Sequence, residues 1–193
     1  MTWFGDTTYK ENWTPQMLDS IGMKPLKQSG KPFYFRYSFN NEAIDIWSND
    51  LLHYHGQLFC FTQNWHKKMR YFGKMFPIND SVVNEIADLY YTLNIQKISE
   101  EDSLLGYGKY VCVDCYSYSK LYEFSNGAEY TQKRYALLFS FKDSIKDAKI
   151  IDSFSNYIET KAETNKKFDE FIEDLPNGVY KQGVVSMIIH HYH

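Results

Sequence analysis

The sequence contains little cysteine and no long uninterrupted apolar run. Its 193 residues include three cysteines, an odd number that fits a reducing cytoplasm better than a disulfide framework. No segment has the length of apolar residues needed to span a bilayer, and the first residues lack the basic and apolar regions of a signal peptide. We therefore expect a cytoplasmic protein that has no membrane partner and does not depend on disulfides.

The sequence also lacks an excess of positive charge. The formal net charge is -3 at pH 7, so the sequence lacks the cationic excess that supplies most nucleic-acid affinity. The best basic run, residues 66–71, offers Lys67, Lys68 and Arg70 for phosphate contact and Tyr71 for stacking. Such a run is more typical of a solvated helix or loop face. We keep these four residues as candidate partner contacts, with nucleic acid as the less favoured partner.

Known catalytic motifs are missing. The sequence has no glycine-rich phosphate loop and no Gly-x-Ser-x-Gly motif. Cys112 and Cys115 have C-x-x-C spacing, but they lie in a strand-like run, where residues three apart face opposite sides. Cys60 lies among alternating apolar residues, which is typical of a core cysteine. The sequence therefore favours a protein without a cofactor and leaves catalysis as an alternative.

Aromatic residues, by contrast, are abundant. Phe, Trp and Tyr make up 18% of the chain, with 17 tyrosines and 14 phenylalanines. Aromatic side chains suit the half-buried surfaces of β-sheets, and they also supply large, rigid contact areas at interfaces. Each buried tyrosine hydroxyl needs a hydrogen-bond partner, so we expect some of the rings to reach the surface.

Alternating apolar residues predict two groups of strands. In residues 33–39 the odd-numbered rings share one face, and turns then lead to residues 42–48 and 51–62, which gives a three-stranded antiparallel meander. Further along, two long tyrosine-rich runs at residues 109–125 and 128–141 flank Asn126-Gly127. That dipeptide is a strong hairpin signal, because both of its residues tolerate positive φ.

Helical periodicity predicts two or three helices. One covers residues 81–93 with Ser81 as its cap, and further helical stripes run through residues 143–175. The chain closes with an apolar strand, residues 179–189, which we expect to return to the interior of the sheet. Because strands and helices are clustered rather than alternating, we predict a single α+β domain over residues 1–193, with a mainly antiparallel sheet packed by these helices.

Two His-Tyr-His triplets supply the candidate catalytic residues. His53 and His55 form one pair, and His191 and His193 form the other. Residues two apart in a strand point the same way, so two adjacent pairs would form a cluster suited to a transition metal or to metal-free acid/base catalysis. His-x-His is a short pattern, and the second pair ends the chain. A His-centred phosphodiesterase or nuclease is therefore the alternative hypothesis.

The main functional prediction is a binding surface on the second hairpin. The even-numbered rings Tyr116, Tyr118, Tyr122 and Tyr130 are predicted to share one face, which would form either a core under the helices or a protein interface. We therefore predict a non-enzymatic protein that occupies the surface of a partner, most often another protein. Its composition is typical of inhibitors, immunity proteins and counter-defence factors of phages and mobile elements. A self-assembling structural component, with copies of the chain as partners, is the second alternative.

Overall fold

A computed structural model confirms the predicted α+β class, with an antiparallel sheet covered by helices. The structure describes residues 18–19, 21–26, 29–65, 70–100, 120–135, 145–182 and 185–191. The strands in these ranges are β1 (Phe33–Phe39), β2 (Glu42–Ser48), β3 (Tyr54–Gln63), β4 (Tyr71–Ile78), β5 (Lys120–Ser125), β6 (Tyr130–Tyr135), β7 (Gly178–Gln182) and β8 (Val185–Ile189). The helices are α1 (Asp80–Thr92), α2 (Lys146–Lys161) and α3 (Thr164–Glu173), with a 3-10 turn at Ile95–Lys97.

The main sheet has the order β4-β3-β2-β1-β5-β6 in the described part of the chain, and all neighbouring strands are antiparallel. The predicted meander is confirmed and has a fourth strand, β4. The sequence pattern does not predict β4 because Gly73 and Pro77 interrupt its alternation. The second hairpin adds β5 and β6 beside β1, so the first meander strand lies inside the sheet.

The Asn-Gly hairpin is present where the structure describes it. Gly127 has a φ of +86°, and Oδ1 of Asn126 accepts hydrogen bonds from the backbone N–H groups of Ala128 at 3.1 Å and Glu129 at 2.8 Å. The connection therefore has four residues rather than two. The remainder of the predicted hairpin, residues 109–119 and 136–141, lies outside the described residues.

The helices follow the predicted periodicity, with different ends. The cap of α1 is Asn79, whose side chain accepts a hydrogen bond from the backbone N–H of Ser81 at 2.8 Å, so Ser81 is not the cap. The long helical stretch is divided into α2 and α3, and Glu163 between them has a φ of +52°.

The C-terminal strand differs from the prediction. The apolar run is not one strand returning to the sheet interior, because β7 and β8 pair with each other in a separate two-stranded sheet. This hairpin meets the end of β3 at an isolated bridge between Asn64 and Tyr180, and the backbone N–H of Trp65 donates to the carbonyl oxygen of Val179 at 3.0 Å. An apolar run with Gly183 near its centre is as compatible with two short strands as with one long strand.

The main core lies on the sheet face that the helices cover. Phe35 is at its centre, with its ring centroid 5.4 Å from that of Tyr90 on α1 and 5.9 Å from that of Phe154 on α2. The rings of Tyr122 and Phe124 on β5 lie 6.0 and 5.7 Å from the same ring. Odd-numbered residues of β1 supply this face because successive side chains of a strand point to opposite sides.

The opposite face of the sheet is covered in part by the N-terminal segment. Leu18, Ile21 and Met23 pack there against Ala43, Phe59 and Phe61. The same face carries a buried ion pair between Arg36 of β1 and Asp45 of β2. The sheet is therefore enclosed on both sides over its central strands, and its surface features lie mainly at the ends of the strands.

Gly56 lies where α1 packs on β3, and we expect an alanine there to be destabilising. A Cβ at this position would be 2.6 Å from Cγ2 of Val83, a buried β-branched side chain that is stiff at χ1. Gly56→Ala should therefore lower the free energy of unfolding by about 1–3 kcal/mol in urea denaturation. The cost should shrink when Val83→Ala is added, and strictly additive effects of the two substitutions would contradict this contact.

Candidate functional site

The structure places the described histidines of the two triplets at opposite ends of β3. His53 and His55 lie at the beginning of β3, whereas His191 donates its backbone N–H to Oδ1 of Asn177 at 2.6 Å, directly before β7, and β7 meets the other end of β3. A strand of 10 residues rising about 3.3 Å per residue separates these ends by about 30 Å. His193 lies outside the described residues. The alternative that joined these histidines in one cluster therefore does not hold for His53, His55 and His191.

The separated histidines have local partners instead. Nδ1 of His53 is 2.7 Å from Oδ2 of Asp50, and Nε2 of His191 is 2.7 Å from the carbonyl oxygen of Leu175. The described residues contain no group of three or more His, Cys, Asp and Glu side chains placed to hold a metal ion. The described histidines of the two triplets therefore contact local partners rather than one another.

Tyr122, one of the even-numbered rings predicted to share a face of the second hairpin, belongs to the core. Tyr122 is fully buried on the helix-covered face, and its hydroxyl is 2.5 Å from Oγ of Ser155 on α2. Its assignment as a partner-binding residue is therefore wrong, because the helices cover this face of β5. Tyr116 and Tyr118 lie outside the described residues.

Tyr130 lies on the other face of the sheet from Tyr122. It pairs with Ser125, and its hydroxyl donates a hydrogen bond to Oε1 of Glu123 at 2.5 Å. A hairpin loop with an even number of residues places even positions of one strand opposite odd positions of the next. The prediction that even-numbered rings share one face through Tyr130 is wrong for this reason.

Most of the described aromatic residues are buried. The sequence analysis instead expected some of these rings to reach the surface. Burial is tolerated because the tyrosine hydroxyls have partners: Tyr34 donates to Oδ2 of Asp45 at 2.7 Å, and Tyr37 donates to Glu159. An aromatic strip is therefore not the candidate binding surface of the described sheet. The enclosed rings are Phe33, Tyr34, Phe35, Tyr37, Phe39, Phe59, Phe61, Phe76, Tyr90, Tyr122, Phe124, Tyr135, Phe154, Phe168, Phe171 and Tyr180.

The basic run borders the start of β4. Arg70 is exposed, with its guanidinium 5.1 Å from the ring centroid of Phe72. Tyr71 is half-buried and packs against the apolar cluster on the second face of the sheet. Lys67 and Lys68 lie outside the described residues. Of the four candidate contacts, Arg70 is the one whose side chain is shown to be exposed.

Two adjacent leucines are exposed to solvent in the turn between β2 and β3, which we call the 49–53 loop. The side chains of Leu51 and Leu52 are 50% and 77% exposed. The 47% exposed ring of Tyr91 lies beside this loop, because Phe33 contacts both Tyr91 and Tyr54, at ring-centroid distances of 5.7 and 5.4 Å. The hydroxyl of Tyr54 in turn donates to the carbonyl oxygen of Leu51 at 3.3 Å. These contacts place three exposed apolar side chains on one end of the sheet.

Asp50 fixes the conformation of the 49–53 loop. Its Oδ1 accepts hydrogen bonds from the backbone N–H groups of Leu52 at 2.9 Å and His53 at 2.8 Å. Oγ of Ser48 accepts from the backbone N–H of Leu51 at 2.8 Å. Hydrogen bonds from the His53 ring and from the backbone hold the pKa of Asp50 well below its ordinary value, and the same contact raises the pKa of His53. The carboxylate therefore remains ionised at neutral pH and keeps the loop ordered.

Leu51 has a backbone conformation that leucine rarely adopts. Its φ is +63°, in the left-handed region that costs a non-glycine residue about 1–2 kcal/mol. Asn or Gly fits this region better, and a half-exposed leucine gains little burial in return. Backbone strain of this kind clusters at functional sites, so Leu51 is a candidate functional residue.

The sequence contains a signal for this loop that strand periodicity hides. The predicted strand starts at Leu51, whereas β3 starts at Tyr54. Asp50 is a residue type that hydrogen-bonds to the backbone two residues on, and this favours a turn through Leu52. An Asx turn followed by two apolar residues therefore indicates a displayed loop, provided that no neighbouring element covers it.

A second exposed apolar patch lies at the opposite end of β3. Trp65 is 44% exposed with Nζ of Lys181 4.7 Å from its ring centroid, and Ile188 on β8 is 76% exposed. Ile188 pairs with Val179, whose carbonyl oxygen binds the backbone N–H of Trp65. This patch lies far from Leu51, so substitutions in it can serve as controls for substitutions in the 49–53 loop.

Comparison with known proteins adds no functional assignment. No protein family model and no curated protein matches this chain. Among the described helices, none is both long and apolar enough to cross a membrane.

Proposed function

We propose that the protein is a non-enzymatic binding protein that occupies the surface of a protein partner through the 49–53 loop. The observation that carries this proposal is the combination of a fixed backbone with exposed apolar side chains at Leu51 and Leu52. Because Asp50 already orders the loop, binding loses little conformational entropy there. Full burial of a leucine stabilises a complex by about 1.5–3 kcal/mol, so this pair supplies a substantial part of a specific affinity.

The chemistry of the loop favours a protein over a nucleic acid as the partner. Leu51, Leu52 and Tyr91 offer apolar area to a pocket, and the loop has Asp50 at its centre, whose carboxylate repels phosphates. Interfaces of this type have an apolar core that is depleted in charged residues. The partner that fits is a protein with an apolar pocket able to receive two adjacent side chains.

The mode of action that we propose is that of an inhibitor, immunity or counter-defence protein. Such a protein acts by forming a stoichiometric complex that covers a working surface of its partner, without turnover. A rigid loop that inserts apolar side chains into a preformed pocket suits this mode, because neither partner needs a large rearrangement. Support for this class comes from composition and from the loop.

Leu51→Asn combined with Leu52→Ser should weaken partner binding without weakening the fold. The partner is first identified by crosslinking and co-purification from the source cells, and then purified for calorimetry. We expect a one-to-one complex with the wild type and a loss of about 2–4 kcal/mol in the double variant, which is roughly 30- to 1000-fold in Kd. The free energy of unfolding should stay equal or rise by up to about 1 kcal/mol, because Asn tolerates positive φ.

The matched control is Ile188→Ser, which removes an exposed apolar side chain from the other end of β3. This variant should bind the partner as the wild type does. Unchanged affinity in the Leu51/Leu52 variant, or loss of affinity in the Ile188 variant alone, would show that the 49–53 loop is not the binding surface.

A further inference from the structure

Glu42, the first residue of β2, has a buried carboxyl group. The residue is 5% exposed, and its Oε1 has no hydrogen-bond partner among the described residues. It pairs with Phe39 on one side and with Cys60 on the other, so its side chain shares the face that the helices cover. Cys60 pairs in turn with Lys74 of β4. The carboxyl therefore lies at the end of the sheet, beneath the corner between α2 and α3.

The charges that face Glu42 from the helices are negative. Glu159 of α2 and Asp169 of α3 both act on it electrostatically. Three lysines of this region form ion pairs with carboxylates other than that of Glu42, with short Nζ–O distances. These pairs are Lys120 with Glu159 at 2.7 Å, Lys167 with Glu170 at 2.9 Å and Lys74 with Asp174 at 2.5 Å.

The environment of Glu42 favours its neutral form. Burial raises the pKa of this carboxyl to about 8, and Glu159 and Asp169 add to the shift. Burial also raises the pKa of the neighbouring Cys60 thiol and of the Tyr37 hydroxyl, which therefore keep their protons through the same range. Loss of the Glu42 proton thus places a new negative charge among apolar groups and carboxylates.

The helix above this position, α3, is the shortest of the described helices. Glu163, which precedes α3, has a φ of +52° and makes no side-chain capping bond. The helix has ten residues and is attached to the core mainly by Phe168 and Phe171. Short helices of this kind open locally at lower free energy than the central strands.

We propose that Glu42 is a pH-sensitive latch for α3, whose packing on the end of the sheet is tight when the carboxyl carries a proton and loosens when the proton is lost. The device requires the three features above: an enclosed carboxyl oxygen without a donor among the described residues, carboxylates on both covering helices, and a short helix without a side-chain cap.

The pH dependence follows from the direction of the shift. A carboxyl whose pKa is higher in the folded than in the unfolded protein contributes stability that is fully present below about pH 4.5 and is lost as the pH rises to about 8. Above that value the group is ionised in both states, and the dependence ends. Relative to a variant without this carboxyl, the unfolding constant should rise by up to about tenfold per pH unit within the window.

The test compares the wild type with Glu42→Gln and with Glu173→Gln, which removes the same charge from the exposed side of α3. Urea unfolding between pH 5 and pH 9 should show the wild-type midpoint falling until about pH 8, relative to Glu42→Gln. Glu173→Gln should follow the wild type. At pH 8.5, hydrogen exchange of residues 164–173 should be faster in the wild type than in Glu42→Gln, with central strand amides less affected.

Two results from pH titration would overturn the proposal. One is a set of pH profiles in which the wild type and Glu42→Gln run parallel. The other comes from the wild type alone and applies even if Glu42→Gln does not fold: a carboxyl ¹³C resonance of Glu42 that titrates near its ordinary value. Faster exchange spread evenly over the whole chain would also contradict a device confined to α3.

Discussion

We expect Asp45→Ala to lower the free energy of unfolding by about 3–5 kcal/mol, because it removes the carboxylate that binds two nitrogens of the buried Arg36 guanidinium. Arg36 and Asp45 are directly paired on β1 and β2, and their side chains are almost completely enclosed. Nε of Arg36 is 2.5 Å from Oδ1 of Asp45, and Nη2 is 2.7 Å from Oδ2. The change in stability is measured by urea denaturation at pH 7.

The double variant Arg36→Met/Asp45→Leu removes both charges. Comparing its free energy of unfolding with that of Asp45→Ala separates the destabilisation caused by breaking the pair from the net stabilisation that the intact pair provides. Replacing a buried ion pair with apolar side chains of similar size is often close to neutral, so the double variant should be more stable than Asp45→Ala. Tyr34 donates to Oδ2 of Asp45, so Tyr34→Phe belongs in both backgrounds. A double variant as unstable as the single one would mean that packing, and not charge, explains the loss.

Phe35→Ala should be comparably severe, with a loss of about 3–5 kcal/mol. Phe35 is enclosed between α1, α2 and β5, where its ring contacts four other rings, so its removal leaves a cavity that the rigid sheet cannot close. For a chain of this length the thermal midpoint should fall by roughly 10 °C. Differential scanning calorimetry gives both the midpoint and the enthalpy.

Tyr91→Ala is the control for this loss of an aromatic ring. Tyr91 contacts the same aromatic cluster through Tyr90 and Phe33 but is half-exposed, so its removal should cost less than about 1.5 kcal/mol. The loss of stability in Phe35→Leu should lie between the losses in Phe35→Ala and Tyr91→Ala. Equal losses for Phe35→Ala and Tyr91→Ala would contradict the assignment of Phe35 to the centre of the core.

Local patterns predicted those elements whose side chains alternate without interruption. The rings of β1, at odd positions from Phe33 to Phe39, indicated both the strand and its buried face, and the structure shows all four enclosed. The 3.6-residue periodicity of α1 predicted this helix equally clearly, and only its cap differs, since it is Asn79 and not Ser81. Interrupted patterns were less informative: β4 contains Gly73 and Pro77, and the C-terminal apolar run forms two strands.

The candidate site was much less predictable from sequence. Tyr122 is buried because α2 covers its face of β5. The alternation of residues along β5 does not indicate which face a helix will cover. The exposure of Leu51 and Leu52 likewise depends on the absence, within the described residues, of an element packed over the turn. Residue type alone would assign the tyrosine to a surface and the leucines to a core, which is the reverse of what the structure shows.

The sequence by itself determined the class of fold, the buried face of the first strands and the need for partners for many tyrosine hydroxyls, because these depend on chemistry within a few residues. The tertiary structure decided which faces the helices cover, that His53 and His191 lie at opposite ends of β3, and that Glu42 meets the carboxylates of two helices. Those outcomes depend on which distant segments pack together. Packing is set by the shape and burial of the whole chain rather than by the spacing of residues along it.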